Sequence, residues 1–251
     1  VKVAVVTPYF KEAPDILRRC HASVRSQTVE CTHIMVADGH PVAEIDAWTA
    51  DHMVLAVSHG DNGNTPRGLG GISALNRGFD GIAFLDADNW YAPDHIESVL
   101  RTMTENDADV VFSDRQVVLS TGEVCPRDDI DIRERKFADT SSIFIRTSQP
   151  FLLLAWTLMD QSLSPICDRV MCAAIEARGL RTAWTGRQTV NYESRWRSHF
   201  AAMGKSPPPD EHVTDWERMK SGYSAETNRR RLGFDPFGGA SPFEGLRFEL
   251  V

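Results

Sequence analysis

Cysteine is scarce: Cys20, Cys31, Cys125, Cys167 and Cys172 are the five in 251 residues, and no two form a Cys-x-x-Cys pair. An odd number without paired spacing supports neither a disulfide framework nor a zinc site, and free thiols in a reducing cytosol are the simplest account. Basic charge is also short, with 27 Lys and Arg against 35 Asp and Glu for a formal charge of -8. Nucleic-acid binding draws on clustered cations, so no nucleic-acid partner is expected, and any phosphate must be neutralised locally by a metal ion or a few arginines. Long apolar runs are missing. The longest, Phe151 to Met159 interrupted by Thr157, falls far short of the roughly 20 residues that cross a bilayer and reads as a buried helix, so no transmembrane segment is expected. No cationic and apolar leader stands ahead of Val1, which makes a cytoplasmic location the expectation, while the absent initiator Met leaves room for a longer parent chain. Two nucleotide signatures are absent as well: the chain has neither the Gly-x-Gly-x-x-Gly of a dinucleotide fold nor the Gly-Lys-Ser/Thr ending of a P-loop.

What is present fits one globular domain, or one domain plus a tail, at 42% hydrophobic and 25% charged residues. Strand-like and helix-like runs alternate over the first hundred or so residues, the mark of an α/β fold with a mainly parallel sheet and helices on its faces. Val1 to Thr7 reads as a strand closed by Pro8, Pro14 to Gln27 as a helix, and Ile34 to Ala37 as a strand stopping at Asp38-Gly39. Pro41 to Asp51 looks helical, and Met53 to Val57 reads as a third strand. His59 to Gly71 is a loop dense in Gly, Asn and Pro, suited to close approach of backbone to a ligand, and it feeds a helix over Ile72 to Gly78. Pro93 to Glu105 is the next helix. Beyond it, Val110 to Phe112, Gln116 to Leu119 and Ser142 to Ile145 read as strands, and Phe151 to Met159 and Pro165 to Arg178 as helices. Trp184 to Val190 runs into an aromatic and basic patch, Tyr192 to Phe200. From Ser206 onward, Pro-Pro-Pro and then Gly-Gly suggest an irregular extension. No internal repeat is visible.

One stretch carries more chemistry than the rest. Gly81-Ile82-Ala83-Phe84-Leu85-Asp86-Ala87-Asp88 is an apolar run that ends in two acids spaced i, i+2, and in open α/β sheets ligands bind beyond the carboxyl ends of the strands. The chain holds two further triplets of this kind. Asp107-Ala108-Asp109 precedes the strand-like Val110-Val111-Phe112, at the wrong end for a site, and Asp129-Ile130-Asp131 lies in the charged stretch Arg127 to Lys136.

Taken together, a first strand Val3-Ala4-Val5-Val6-Thr7-Pro8-Tyr9-Phe10, a second ending Ala37-Asp38-Gly39 and a later one ending Asp86-Ala87-Asp88 resemble the GT-A glycosyltransferases of family 2. Asp139-Thr140-Ser141-Ser142, Cys167-Asp168-Arg169 and a late His199 resemble the acceptor half of that family. The resemblance covers Val1 to about Gly204. It implies a GT-A domain over residues 1–205, with a nucleotide-binding half at 1–106 and an acceptor half at 107–205, and it leaves 206–251 as a C-terminal extension.

By resemblance the chain is a metal-dependent inverting glycosyltransferase that takes a UDP-sugar as donor and a saccharide or protein hydroxyl as acceptor. Asp88 then contacts a divalent metal, manganese or magnesium, which favours hard oxygen ligands, and His199 supplies another ligand. Asp86 lies near the ribose, Asp38 accepts a hydrogen bond from the base, and Thr7, Pro8 and Tyr9 form the wall and floor of the nucleoside pocket. Arg67 or Arg77 meets the diphosphate. Asp168 is the general base, with Asp139 as second choice and otherwise a substrate contact. The chain departs from the family pattern at Ala37, Leu75 and Cys167, where an acid, an arginine and a glutamate are common. Two other classes are compatible with the same acidic strand end: a sugar nucleotidyltransferase, and a binding module that keeps the fold without catalysis.

Overall fold

The computed structural model describes residues 1–126, 138–213 and 224–233. Their strands form one eight-stranded sheet: β1 (Val3–Tyr9), β2 (Thr32–Asp38), β3 (Asp51–Leu55), β4 (Gly81–Phe84), β5 (Trp90–Tyr91), β6 (Val110–Leu119), β7 (Ile143–Arg146) and β8 (Thr182–Ser194). The spatial order is β3-β2-β1-β4-β7-β6-β8-β5. The segment β3-β2-β1-β4 is parallel throughout, whereas β7 pairs antiparallel with both β4 and β6 and joins it to the rest of the sheet. The helices are α1 (Pro14–Arg25), α2 (Asn64–Asn76), α3 (His95–Glu105), α4 (Pro150–Leu158), α5 (Cys167–Ala177), α6 (Arg197–Ala202) and α7 (Ala225–Leu232).

Both faces of the sheet are covered, which is why the first strands read as unbroken apolar runs rather than alternating ones. Ala4, Val6, Ile82 and Phe84 point to one face, where Ala74 of α2, Leu153 and Trp156 of α4, and Val170 and Ala174 of α5 close the core. Val3, Val5, Ala83 and Leu85 point to the other, against Cys20 and Val24 of α1 and Ile96, Val99 and Met103 of α3.

Several boundaries differ from the sequence reading, each for a local reason. Pro8 does not close β1, which continues to Tyr9 in register with Ala37. The carbonyl of Val6 accepts from Leu85 N–H, so Pro8, two residues on, faces the same edge beyond the end of β4, where a missing N–H costs no ladder bond. The segment from Pro41 holds a 3-10 turn, Ala43–Ala47, in place of a helix, and β3 already begins at Asp51. Val110 to Leu119 is one strand, not two, because irregularities flanking Asp114 absorb the break in pattern.

The largest revision concerns the glycine-rich segment. Helix α2 begins at Asn64, so Gly68, Gly70 and Gly71 lie inside it rather than in a ligand loop. A β-carbon on Gly68 would stand 2.5 Å from Thr157 Cγ2 and 3.0 Å from the Leu153 carbonyl, and one on Gly70 2.6 Å from Val6 Cγ1. These glycines let α2 sink between α4 and the sheet. In the C-terminal extension, α7 lies on α4, with Leu232 and Asn228 buried and Arg231 paired to Asp160. Asp107 and Asp109 pair with Arg181, a structural network, while Asp129 to Asp131 fall outside the described residues.

Candidate active site

Beyond the carboxyl ends of β1, β2 and β4 the sheet opens into a cleft of about 380 Å³. From β1 the chain steps outward to β2 and β3 on one side and then crosses back to β4 on the other, and a crevice at such a switch point follows from the topology itself. Pro8, Tyr9, Phe10 and Glu12 line it from the end of β1, Asp38 from β2, residues 58 and 60–63 from the loop before α2, Arg67 from α2, and Asp86, Ala87 and Asp88 from the end of β4.

The acids are held in different ways. Asp86 receives Arg67 Nη2 at 2.6 Å, and that buried guanidinium also bonds Asn64 Oδ1 at 3.0 Å and lies over the Trp156 ring. Asp38 is nearly saturated by its own chain, accepting from His59 N–H and Ser58 Oγ and bonding His59 Nδ1 at 2.8 Å. Gly39 permits this turn: at φ +78° its missing β-carbon would lie 2.5 Å from Ser58 N. The Asp88 carboxylate has no hydrogen-bond or ion-pair partner among the described residues. Burial, followed by the charges of Asp86, Glu193, Glu12 and Asp139, pushes it up to about 8.

Tyr9 lines the cleft while its hydroxyl faces away, accepting from Val42 N–H at 3.0 Å and bonding His52 Nε2 at 2.7 Å. Thr7 does not reach the cleft. It is fully buried under α1, 2.8 Å from His33 Nε2 and 3.7 Å from Cys20 Sγ, because alternation along β1 turns it to the opposite face from Pro8. Arg77 is likewise removed from the site: it caps the far end of α2 and pairs with Asp51.

Arg115, Asp139 and Asp168, outside the cleft lining, form a second tier. Asp139 Oδ1 accepts from Ser141 N–H at 2.9 Å and its Oδ2 meets the buried Arg115 at 3.2 Å. Burial outweighs that cation and, with Asp86 and Asp168 nearby, raises Asp139 to about 6. Asp168, in the first turn of α5, is raised by burial, and its one hydrogen bond among the described residues comes from Arg169 N–H at 2.7 Å. His199 is buried on α6 with Nδ1 2.6 Å from Ser194 Oγ and, like Asp139 and Asp168, is not among the cleft-lining residues.

Sequence reading missed four residues that shape the site: Glu12 on the cleft wall, Glu193 and Arg115 beside the acids, and Arg19, whose Nη2 donates to the Asp88 carbonyl at 2.6 Å. None sits in a recognisable motif, and only the folded sheet with α1 packed on it gathers them. Chemically, the cleft sets Glu12, Asp38, Asp61, Asp86 and Asp88 against Arg67 as its lining cation. Such a surface repels an anion unless a further cation enters with it.

The family model described as Glycosyl transferase family 2 matches residues 4–164. Succinoglycan biosynthesis protein ExoW of Rhizobium meliloti (strain 1021) is 36% identical over 121 residues, covering 45% of this chain and 37% of that protein. The chain therefore spans well under half of that curated relative. Among solved structures, S. aureus TarS 1–349 in complex with UDP gives a TM-score of 0.57 at 13% identity, over 93% of this chain and 72% of that one. The same fragment in complex with UDP-GlcNAc gives 0.55 at 12%, over 94% and 74%. At these identities the likeness is one of fold, the α/β arrangement of the GT-A glycosyltransferases. Because the family match runs from β1 to the turn before α5, more than half of the sequence, the chain belongs to glycosyl transferase family 2.

Proposed function

We propose that the protein transfers a glycosyl group, with inversion, from a UDP-sugar to a hydroxyl of a saccharide or protein acceptor. The carrying observation is the Asp88 carboxylate, without a partner among the described residues in a cleft lined by five acids and one arginine. A diphosphate cannot occupy that surface alone. A divalent cation is the hard, charge-neutralising guest that fits an oxygen donor of this kind. Asp88, beside Asp86, would hold it, and no group of three ligating side chains is preassembled among the described residues. When bound, the ion supplies Lewis-acid stabilisation of the charge that grows on the departing diphosphate. That S. aureus TarS, of the same fold, is found in complex with UDP and UDP-GlcNAc supports a UDP-sugar donor.

The chain's own residues do the rest. Pro8, Tyr9 and Phe10 wall the nucleoside end, Asp38 meets the base through its remaining acceptor capacity, and Arg67 holds Asp86 where the ribose lies. Asp168 removes the proton of the acceptor hydroxyl, whose oxygen attacks the anomeric carbon opposite the leaving UDP. The new C–O bond forms as the old one breaks, and the electron pair leaves with UDP. Asp168 suits this role better than Asp139, because both oxygens of Asp139 are engaged by Ser141 and Arg115, which makes it a positioning acid.

Thermal unfolding with UDP, with and without Mn²⁺, tests the reading. Ligand at about a hundred times Kd adds roughly 2.7 kcal/mol, and this gain is expected only with the metal present and only when Asp88 is intact. An equal gain in excess chelator, or in Asp88→Asn, would overturn the metal role.

A further inference from the structure

The loop that carries the two acids is held by more than its own strand. Asn89, 1% exposed, uses both ends of its amide: Nδ2 donates to Ser141 Oγ at 2.9 Å, and Oδ1 accepts from Glu193 N–H at 2.9 Å. The backbone N–H of Glu193 is a donor only, which fixes which end of the amide faces it. Ser141 Oγ also accepts from Asp86 N–H at 3.1 Å, so one buried oxygen ties the first acid to the residue that follows the second. Ser141 in turn sits in the 3-10 turn capped by Asp139. From the opposite side Arg19 of α1 bonds the Asp88 carbonyl at 2.6 Å, pairs with Glu193 at 2.7 Å and lies over Trp90. Neither Asn89, Ser141, Glu193 nor Arg19 lines the cleft.

This geometry points to Asn89 as a positioning residue for glycosyl transfer. It locks the main chain of Asp86 to Asp88 onto the acceptor half, so that the ion-holding carboxylate and the acids Asp139 and Asp168 keep one spacing. The amide satisfies both neighbours at once, as a donor toward Ser141 and an acceptor toward Glu193. Aspartate has the right shape but lacks the N–H, and it would add a buried charge beside Asp86, Asp88 and Glu193. The inference rests on the proposed role of Asp88.

Asn89→Ala, Asn89→Asp and Ser141→Ala test it, with Mn²⁺ affinity in the presence of UDP measured by electron paramagnetic resonance beside kcat, donor KM and melting temperature. Outer-shell partners of a metal site typically contribute about 10–100-fold in affinity or activity. A loss of that size is expected in Mn²⁺ affinity and in kcat, with donor KM at saturating metal little changed. Ser141→Ala removes one oxygen with almost no change in packing, so it carries the test if the Asn89 variants fail to fold. The double variant Asn89→Ala with Ser141→Ala should lose less than the product of the single losses, because the two share a bond. Lower melting temperature with unchanged Mn²⁺ affinity and kcat would overturn the inference, as would fully multiplicative losses. Failure of the unmodified protein to bind Mn²⁺ with UDP would instead overturn the proposed function.

Discussion

Asp88 and Asp168 are both carboxylates raised by burial, yet their neighbours assign them different work. Asp88 sits among other acids and is pushed up to about 8, so the metal-free folded protein keeps a proton there that the unfolded chain, at an ordinary value of 3.8, gives up. Folded protein then binds more protons than unfolded between these values, and stability falls as pH rises from about 4 to 8, by at most about 1.4 kcal/mol per unit. Asp88→Asn should flatten that slope; denaturant midpoints at pH 5 and pH 8 in chelator, compared with the unmodified protein, measure it. For Asp168, the amide variant should leave folding and metal-dependent UDP binding intact while transfer falls at least about 10²-fold, the lower end of positioned acid–base catalysis. An ordinary first-turn acid would cost about 1 kcal/mol or less and leave turnover near normal. Turnover, UDP affinity and melting temperature on the one variant separate these outcomes, and near-normal turnover would move the base to Asp139.

At the scale of elements, α2 carries the clearest packing test. Gly68 and Gly70 face neighbours that cannot retreat, the Leu153 carbonyl and the Val6 side chain at the sheet, whereas the nearest atoms to a methyl on Gly71 belong to the Leu153 side chain, with its tip at 3.0 Å. Alanine improves intrinsic helix stability by about 1 kcal/mol over glycine, but overpacking costs about 1–3 kcal/mol. Gly68→Ala and Gly70→Ala should therefore lower the melting temperature while Gly71→Ala leaves it near neutral or raises it. Equal effects at all three positions would show that α2 is free to shift away from α4. The misreading of this segment has the same origin: glycine marks close approach of backbone, and the sequence does not say whether the approaching partner is a ligand or another helix.

At the scale of the whole molecule, two fully buried histidines among the described residues lie on the sheet face covered by α1 and α3 and make it acid-sensitive. His33 on β2 bonds Thr7 and His21, and His95 on α3 bonds Thr189 of β8; burial lowers each to about 3. Both stay neutral in the fold while the unfolded chain takes up protons below 6.5. Their contribution is therefore whole above that value and is lost as pH falls toward 3, at about 1.4 kcal/mol per unit for each. Unfolding free energies from pH 6.5 to 4.5 should fall less steeply in His95→Gln than in the unmodified protein; identical slopes would remove His95 from the account. By itself the sequence determined what depends on local pattern: the alternation of strands and helices, the apolar runs of a sheet covered on both sides, and the diacid closing the fourth strand. It also singled out Asp38 and Arg67, which line the cleft, and Asp139 and Asp168, which lie outside its lining. Only the tertiary structure decided that Thr7 faces away from the cleft, that His199 Nδ1 bonds Ser194, and that Glu12, Glu193, Arg115 and Arg19 surround the acids. Those outcomes turn on which face a strand presents and on partners that lie far away in the chain, and neither is fixed until the sheet is assembled.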